Sequence, residues 1–183
     1  MKATNILMEE HRVIERVLAA LETAAQRLEQ GGSVRPGFFL EAAEFIRGFA
    51  DGSHHHKEEG VLFTVMASCG VPVQGGPIGV MLDEHEQGRA YTRAMHDAAE
   101  RLETGDESAR TAVVRSAQDY CALLREHITK EDRILFPLAG NAIPADQQPK
   151  LGQQFEQAER EHASQDPTDY LELASRLELE AAG

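Results

Sequence analysis

The chain has 183 residues, 42% of them hydrophobic, and a formal net charge of −13, so it is long enough to bury a core as one domain. Its acidic balance argues against binding to nucleic-acid phosphates and against adsorption to an anionic membrane. Ala, Leu, Glu, Gln and Arg dominate the composition, which predicts an all-α protein.

The N-terminal residues lack a basic segment followed by an apolar run, so no secretory signal is predicted. No stretch approaches the roughly 20 apolar residues that a membrane-spanning helix needs. Two cysteines, Cys69 and Cys121, are too few for a disulfide framework. Together these features predict a cytoplasmic protein with reduced thiols.

The first helix is predicted to begin at Thr4 or Asn5, either of which can cap it, and to end at Gly31-Gly32. Its apolar residues recur at alternating spacings of four and three, which indicates one buried stripe. His11 occupies a position in this stripe, so we expect its imidazole to point into the core.

The second helix is predicted to begin near Pro36, a residue suited to a first helical turn. Its stripe contains a histidine and a glutamate four residues apart, which share one face of a helix. A loop rich in Gly and Pro follows from Cys69 to Pro77. The predicted stripe consists of Phe39, Ala43, Ile46, Ala50, His54, Glu58, Val61 and Val65.

The third and fourth helices repeat this hairpin. The third carries His85 in its stripe and is ended by Gly105-Asp106. The fourth runs from about Ser108 to Leu138, and two weaker helical stretches follow it. The stripe of the fourth helix is predicted to consist of Val113, Ala117, Tyr120, Leu124, His127, Glu131, Ile134 and Leu138.

Four helices of about 25 residues joined by short loops predict an up-down-up-down four-helix bundle built from two repeated helical hairpins. Residues 1–140 are predicted to form this bundle. Residues 141–183 are predicted to form a C-terminal helical extension that packs on it.

Two segments repeat one pattern, a histidine followed four residues later by a glutamate and then by Leu-Phe. They are HHHKEEGVLF at 54–63 and HITKEDRILF at 127–136, and each follows an earlier helical histidine by 43 or 42 residues. Four imidazoles and two carboxylates aimed at one centre suit iron, zinc or manganese better than calcium, which prefers oxygen ligands. Shared between two ions, with both glutamates bridging, they would leave positions open for an exogenous ligand.

The predicted metal ligands are His11, His54, Glu58, His85, His127 and Glu131. The triple histidine leaves a second register open, in which His55 and Glu59 replace His54 and Glu58 at the same spacing. We favour the first register, because the alignment of the two Leu-Phe pairs and the apolar stripe both select it. One acid of each doublet, Glu58-Glu59 and Glu131-Asp132, is expected to face solvent.

Four further side chains lie near the predicted centre in the sequence pattern. Tyr120 is expected to pack in the core, with a hydrogen bond to the centre as the alternative. Glu159 is a candidate for an additional ligand, and His96 is expected at the surface. Arg89 is expected either to hold a bridging carboxylate or an incoming anion, or to pair with a surface glutamate.

These motifs closely resemble those of the hemerythrin-like, or HHE cation-binding, family. The resemblance covers roughly residues 4–140 and rests on EEHRVI around His11, HHHKEEGVLF, EHEQGR around His85 and HITKEDRILFP, in this order and at repeat spacing. It implies a non-heme centre of two iron ions with an oxo or hydroxo bridge, reactive toward O2, H2O2 or NO. Oxygen carriers of the family place two histidines four residues apart on the third helix, whereas Arg89 stands four residues after His85. A fifth histidine is therefore expected to be missing, which argues against reversible oxygen carriage.

The resemblance thus predicts a di-iron protein that binds or reacts with small oxidants, in oxidative or nitrosative stress defence or in iron handling. Its partner would be a diatomic or peroxide ligand, without nucleic acid or membrane. Two alternatives of other classes stay open. One is an iron- or oxygen-responsive sensor or binding module without turnover, and the other is a metal-free helical interaction protein in which the histidines only pack.

Overall fold

The computed structural model describes residues 3–162 and 167–183, and every regular element in these ranges is a helix. Four long helices form a bundle, and two shorter ones follow it. They are α1 (Ala3–Glu29), α2 (residues 36–68), α3 (Pro77–Glu103), α4 (residues 110–142), α5 (Gln148–His162) and α6 (Pro167–Ala182). The predicted all-α bundle with additional C-terminal helices is confirmed. The first helix was predicted to be capped by Thr4 or Asn5, but it is already helical at Ala3, so both residues lie inside it.

Other helix ends follow the signals that the sequence carries. Pro36 and Pro77 stand in the first turns of α2 and α3, where a missing backbone N–H costs nothing. The turns after α1 and α3 contain Gly31 and Gly105 at φ 81° and 93°, a left-handed conformation that glycine adopts without a steric penalty.

The bundle helices pack α1 on α4, α4 on α3 and α3 on α2, whereas α1 and α2 touch each other less. Helix α6 lies against both α1 and α2, and α5 contacts α1 and residues 46–62 of α2. The C-terminal helices therefore pack along the bundle side formed by α1 and α2. The division of the chain at residue 140 stays a prediction, and α4 continues to Ala142. None of the described helices is long and apolar enough to cross a bilayer.

The core consists of two hydrophobic clusters separated along the bundle by a polar layer. One cluster runs from Ile14 to Leu28 on α1 and includes the buried face of α6. The other contains Leu7 and the buried residues Leu151 and Phe155 of α5. Each fully buried large apolar side chain stabilises the fold by about 1.5–3 kcal/mol, so apolar packing holds the polar layer from both ends.

Three segments of α2 and α4 wind as π-helix, namely Ile46–His55, Glu58–Leu62 and Glu131–Leu135. A π turn closes its hydrogen bond one residue later than an α turn. Successive residues therefore advance around the helix axis by a smaller angle. Such turns often occur at functional sites, and two of these begin at the glutamates of the repeated motif.

The π turns shift the buried stripe by one residue beyond each glutamate. Val61 is only half-buried and Ile134 is 60% exposed, whereas the next residues, Leu62 and Leu135, are 0% and 2% exposed. The predicted stripe was wrong at Val61 and Ile134, because it assumed α-helical periodicity through both segments.

Helix α6 approaches α2 so closely that position 48 has room only for glycine. A methyl group on Gly48 would lie 2.6 Å from Cε1 of Tyr170, whose ring packs on Phe45 and Phe49. We expect Gly48→Ala to lower the free energy of unfolding by about 1–3 kcal/mol, the usual cost of overpacking. Urea denaturation would measure it. In the matched control Gly152→Ala the added methyl group has no packing neighbour within 4 Å among the described residues and should stabilise the fold by up to about 1 kcal/mol. Equal stabilities of the two variants would contradict this packing.

Candidate metal centre

The polar layer contains seven buried imidazoles and carboxylates, each at most 5% exposed. All four bundle helices contribute to it, so the centre exists only in the assembled bundle. The seven side chains are His11 from α1, His54, His55 and Glu58 from α2, His85 from α3, and His127 and Glu131 from α4.

These side chains form two overlapping groups, in each of which the potential ligand atoms lie within 4.8 Å of one another. The two-histidine group is His11, His54, Glu58 and Glu131, and the three-histidine group is His55, His85, His127 and Glu58. Glu58 belongs to both groups. Oε2 of Glu131 lies 3.1 Å from Nε2 of His11 and 3.3 Å from Nε2 of His127. Both carboxylates thus lie between the two sets of imidazoles, as two neighbouring cations would require.

The structure brings together all six residues of the favoured register and adds His55 from the alternative one. The two registers are not exclusive, because the π-helix that ends at His55 turns His54 and His55 toward the centre together. His55 therefore adds a fifth imidazole from α2, whereas α3 has Arg89 four residues after His85, as expected. Glu59 lies outside both groups. The assignment of these residues as metal ligands stays a prediction.

Every imidazole of the centre is held from outside by a carboxylate. In each pair Nδ1 lies 2.7–3.1 Å from a carboxylate oxygen, so we assign the hydrogen to Nδ1, which donates outward and leaves Nε2 facing inward. This is the tautomer that metal binding through Nε2 needs. The pairs are His11–Asp132, His54–Glu10, His55–Asp51, His85–Glu59 and His127–Glu84. Nε2 of His85 and Nε2 of His127 lie 3.1 Å apart.

One acid of each doublet was expected to face solvent, and Glu59 and Asp132 are indeed the more exposed members, but they have a further role that the expectation missed. The carboxylates of Glu59 and Asp132 are 30% and 17% exposed, and each accepts the Nδ1 hydrogen bond of a histidine in the opposite hairpin. The sequence pattern did not show this role, because an acid beside a buried ligand position resembles any acid on a helix surface.

The supporting acids Glu10 and Glu84 were also missed. Each also accepts a hydrogen bond from a lysine, Lys57 for Glu10 and Lys130 for Glu84. A signal was present in the sequence, since a glutamate directly precedes the histidine in both α1 and α3 and a lysine follows the histidine by three residues in both α2 and α4.

The repeated Leu-Phe pairs have a direct structural role. The ring of Phe136 stacks on His11 at a centroid distance of 5.5 Å, and Phe63 stacks on His85 at 6.0 Å. Each phenylalanine covers an imidazole of the other hairpin. The aromatic part of the motif therefore seals the centre on the side of the second hydrophobic cluster.

The two central carboxyls have opposite proton affinities. Burial, together with the charge of Glu131, raises the pKa of Glu58 well above its ordinary value. Burial also tends to raise the pKa of Glu131. The charge of His127 and the interactions with His11 outweigh this effect, so the pKa of Glu131 is lowered. Glu131 is therefore ionised, whereas Glu58 retains its proton to higher pH.

Burial also acts on the imidazoles. It lowers the pKa of His54 and of His55 well below the ordinary value, so both rings are neutral and able to bind a cation at neutral pH. In His11 burial lowers the pKa, but the hydrogen bond to Asp132 and the nearby carboxylate of Glu131 outweigh this effect and raise it.

The atoms that face the middle of the centre lack hydrogen-bond partners among the described residues. They include Nε2 of His11, His54 and His55 and both carboxylate oxygens of Glu58 and Glu131. A buried polar group without a partner costs about 1–3 kcal/mol. Cations would coordinate these atoms, so the residues present fit a pair of metal ions.

Three other candidate residues lie outside both groups. Tyr120 is buried, and its hydroxyl has no hydrogen-bond partner among the described residues. Glu159 is 37% exposed, and its carboxylate lies 3.8 Å from the ammonium of Lys57. His96 lies near two exposed acids, away from the polar layer.

Cation uptake is expected to release protons, because Glu58 retains one in the metal-free protein and ligands must be deprotonated to bind. Calorimetric titration with Zn²⁺ near pH 6.5, in buffers of different ionisation enthalpy, should show release of roughly one to two protons per chain, because the pKa values of Glu58 and His11 are both raised. Glu58→Gln should reduce both this release and the affinity, whereas Glu126→Gln, at an exposed position on α4, serves as the control. Uptake of Zn²⁺ without proton release at this pH would contradict the assignment.

Comparison with known proteins agrees with this geometry. Uncharacterized proteins from two strains of Mycobacterium tuberculosis and from Mycobacterium bovis are each 25% identical to the chain over 153 residues. The match covers 84% of this chain and 59% of those relatives, so the chain spans less than two thirds of their length. No solved structure gives a significant match. The sequence model of the hemerythrin HHE cation-binding domain matches residues 2–139, and the chain therefore belongs to this family of metal-binding domains.

Proposed function

We propose that this chain is a non-heme di-iron protein that binds or reacts with small oxidants, namely O2, H2O2 or NO, in oxidative or nitrosative stress defence or in iron handling. The observation that carries the proposal is the set of inward-facing imidazole and carboxylate atoms, buried and without protein partners, in two groups that share Glu58. One iron would be held by the two-histidine group and the other by the three-histidine group, with both glutamates between them.

The charges around the centre support binding of two cations. Two central and five supporting carboxylates face four cationic side chains, so negative charge is in excess once Glu58 has lost its proton and the imidazoles are neutral. Uncompensated charge in a protein interior is costly. Two divalent ions would offset this excess. The cationic side chains are Arg12, Lys57, Arg89 and Lys130.

The donor set favours a transition metal or zinc over a calcium or magnesium ion. Imidazole nitrogen mixed with carboxylate oxygen suits iron, zinc or manganese, and among these the family resemblance implies iron. When bound, the iron pair would supply the electrons for reaction with an oxidant.

Both groups contain four residues, but they differ in their number of imidazoles. With both glutamates shared between the two ions, the two-histidine group would have one donor fewer, which gives the exogenous ligand a preferred place. The three-histidine group offers one imidazole more than the two-histidine group. We therefore assign the exogenous ligand to the side of His11 and His54. Phe136 stacks on His11, so a small apolar ligand would find a water-poor surface there, whereas larger substrates would be excluded by the buried setting.

Protein purified under nitrogen should contain about two iron ions per chain, as a dinuclear bundle site requires. His127→Ala removes a donor of the three-histidine group and should lower the iron content to one or less, together with the near-ultraviolet charge-transfer absorption. His96→Ala, outside the polar layer, is the matched control. A protein that folds equally well and holds only zinc or no metal would contradict the di-iron proposal.

The reduced, iron-loaded protein should change its absorption on mixing with O2, H2O2 or NO in a stopped-flow instrument. Replacing His54 with Ala, on the side assigned to the exogenous ligand, should slow this change by at least about tenfold, because a donor and its orientation are lost together. The His96→Ala variant should react like the wild type. An iron-loaded protein unaffected by all three oxidants would leave the binding or sensor module without turnover as the function.

A further inference from the structure

Arg89 connects three carboxylates at the edge of the centre. Its side chain is 24% exposed. Nε donates to Asp51 at 3.0 Å, Nη2 donates to Glu59 at 2.5 Å and Nη1 donates to Glu86 at 2.6 Å. Glu86 is largely exposed. The contacts with Asp51 and Glu59, in contrast, reach into the polar layer.

Asp51 and Glu59 are the acids that orient two imidazoles of the three-histidine group. Asp51 accepts from Nδ1 of His55 at 3.1 Å, and Glu59 accepts from Nδ1 of His85 at 2.7 Å. These two rings stack at a centroid distance of 3.8 Å and an angle of 15°. One guanidinium therefore connects the supports of two adjacent imidazoles.

The other cations around the centre support one imidazole each in the described part of the chain. Lys57 contacts Glu10 beside His54, and Lys130 contacts Glu84 beside His127. Arg12 likewise contacts Asp132, which holds the α1 histidine. Arg89 is thus distinguished by its reach to two supporting acids.

The internal repeat shows how this difference arises. In α1 the ion pair after the histidine is Arg12–Glu15, and at the equivalent positions of α3 it is Glu86–Arg89, with the charges exchanged. The exchange moves the guanidinium one turn along α3, to a position where it reaches Asp51 of α2. In α4 the residues equivalent to Asp51 and His55 are Leu124 and Ile128, so the second hairpin has no such connection.

We propose that Arg89 is a positioning residue that fixes His55 and His85 relative to each other and thereby sets the metal affinity of the three-histidine group. The guanidinium is planar and its donors form a rigid fork, so binding Asp51 and Glu59 together fixes the directions from which they hold the two rings. This inference rests on the proposed metal-binding function and assigns Arg89 no contact with the metal.

The test is an anaerobic titration with Fe²⁺ against a competing chelator. The wild type should bind two ions. Arg89→Gln should bind one ion as the wild type does and the second about 10- to 100-fold more weakly, the usual effect of losing an outer support of a metal ligand. Arg89→Lys should fall between them, since lysine keeps the charge but lacks the fork. Arg12→Gln, the matched control, removes a 54% exposed partner of a single support and should have a smaller effect.

The outcomes separate this inference from the proposed function. A wild type that binds no Fe²⁺ would defeat both. A wild type that binds two ions, with Arg89→Gln binding both at unchanged affinity, would defeat only the role of Arg89. Equal weakening of both ions in Arg89→Gln would indicate a general loss of packing and would also overturn it. If Arg89→Gln does not fold by circular dichroism, Arg89→Lys decides, and wild-type affinity for both ions would reject the positioning role.

Discussion

A closed ring of hydrogen bonds from imidazole to carboxylate determines how the four bundle helices face one another. An acid of each helix holds the histidine of the next, and α4 returns to α1. Each bond requires neighbouring helices at one height and in one rotation, because Nδ1 and the carboxylate must meet within about 3 Å. The ring consists of Glu10–His54, Glu59–His85, Glu84–His127 and Asp132–His11.

This ring also explains why unpaired polar atoms collect in the middle of the centre. Its outward hydrogen bonds fix each ring with Nε2 inward, so unpaired acceptor atoms accumulate where the helices converge. Those atoms destabilise the metal-free bundle, whereas the hydrophobic clusters on either side stabilise it. A ligand that binds only the folded state adds to its stability, so metal binding and folding are coupled in the proposed function.

The departures from two-fold repetition lie together on one side of the centre. His55 and Asp51 belong to the π-helical segment Ile46–His55, and Arg89 holds Asp51 from α3. Their counterparts in the other hairpin are apolar or oppositely charged. The repeated hairpins therefore carry two unequal groups of potential ligands, which is the basis for assigning a small ligand to one side in the proposed function.

The helical class, the repeat and six residues of the centre follow from the sequence, because a histidine and a glutamate at helical spacing within an apolar stripe have one direction available, toward the core. The sequence did not determine where α-helix gives way to π-helix. That choice depends on packing between helices, and it decided that His54 and His55 both face inward and that Leu135 rather than Ile134 is buried. The supporting acids likewise required the tertiary structure, since a carboxylate on one helix acquires its partner only when another helix is placed beside it.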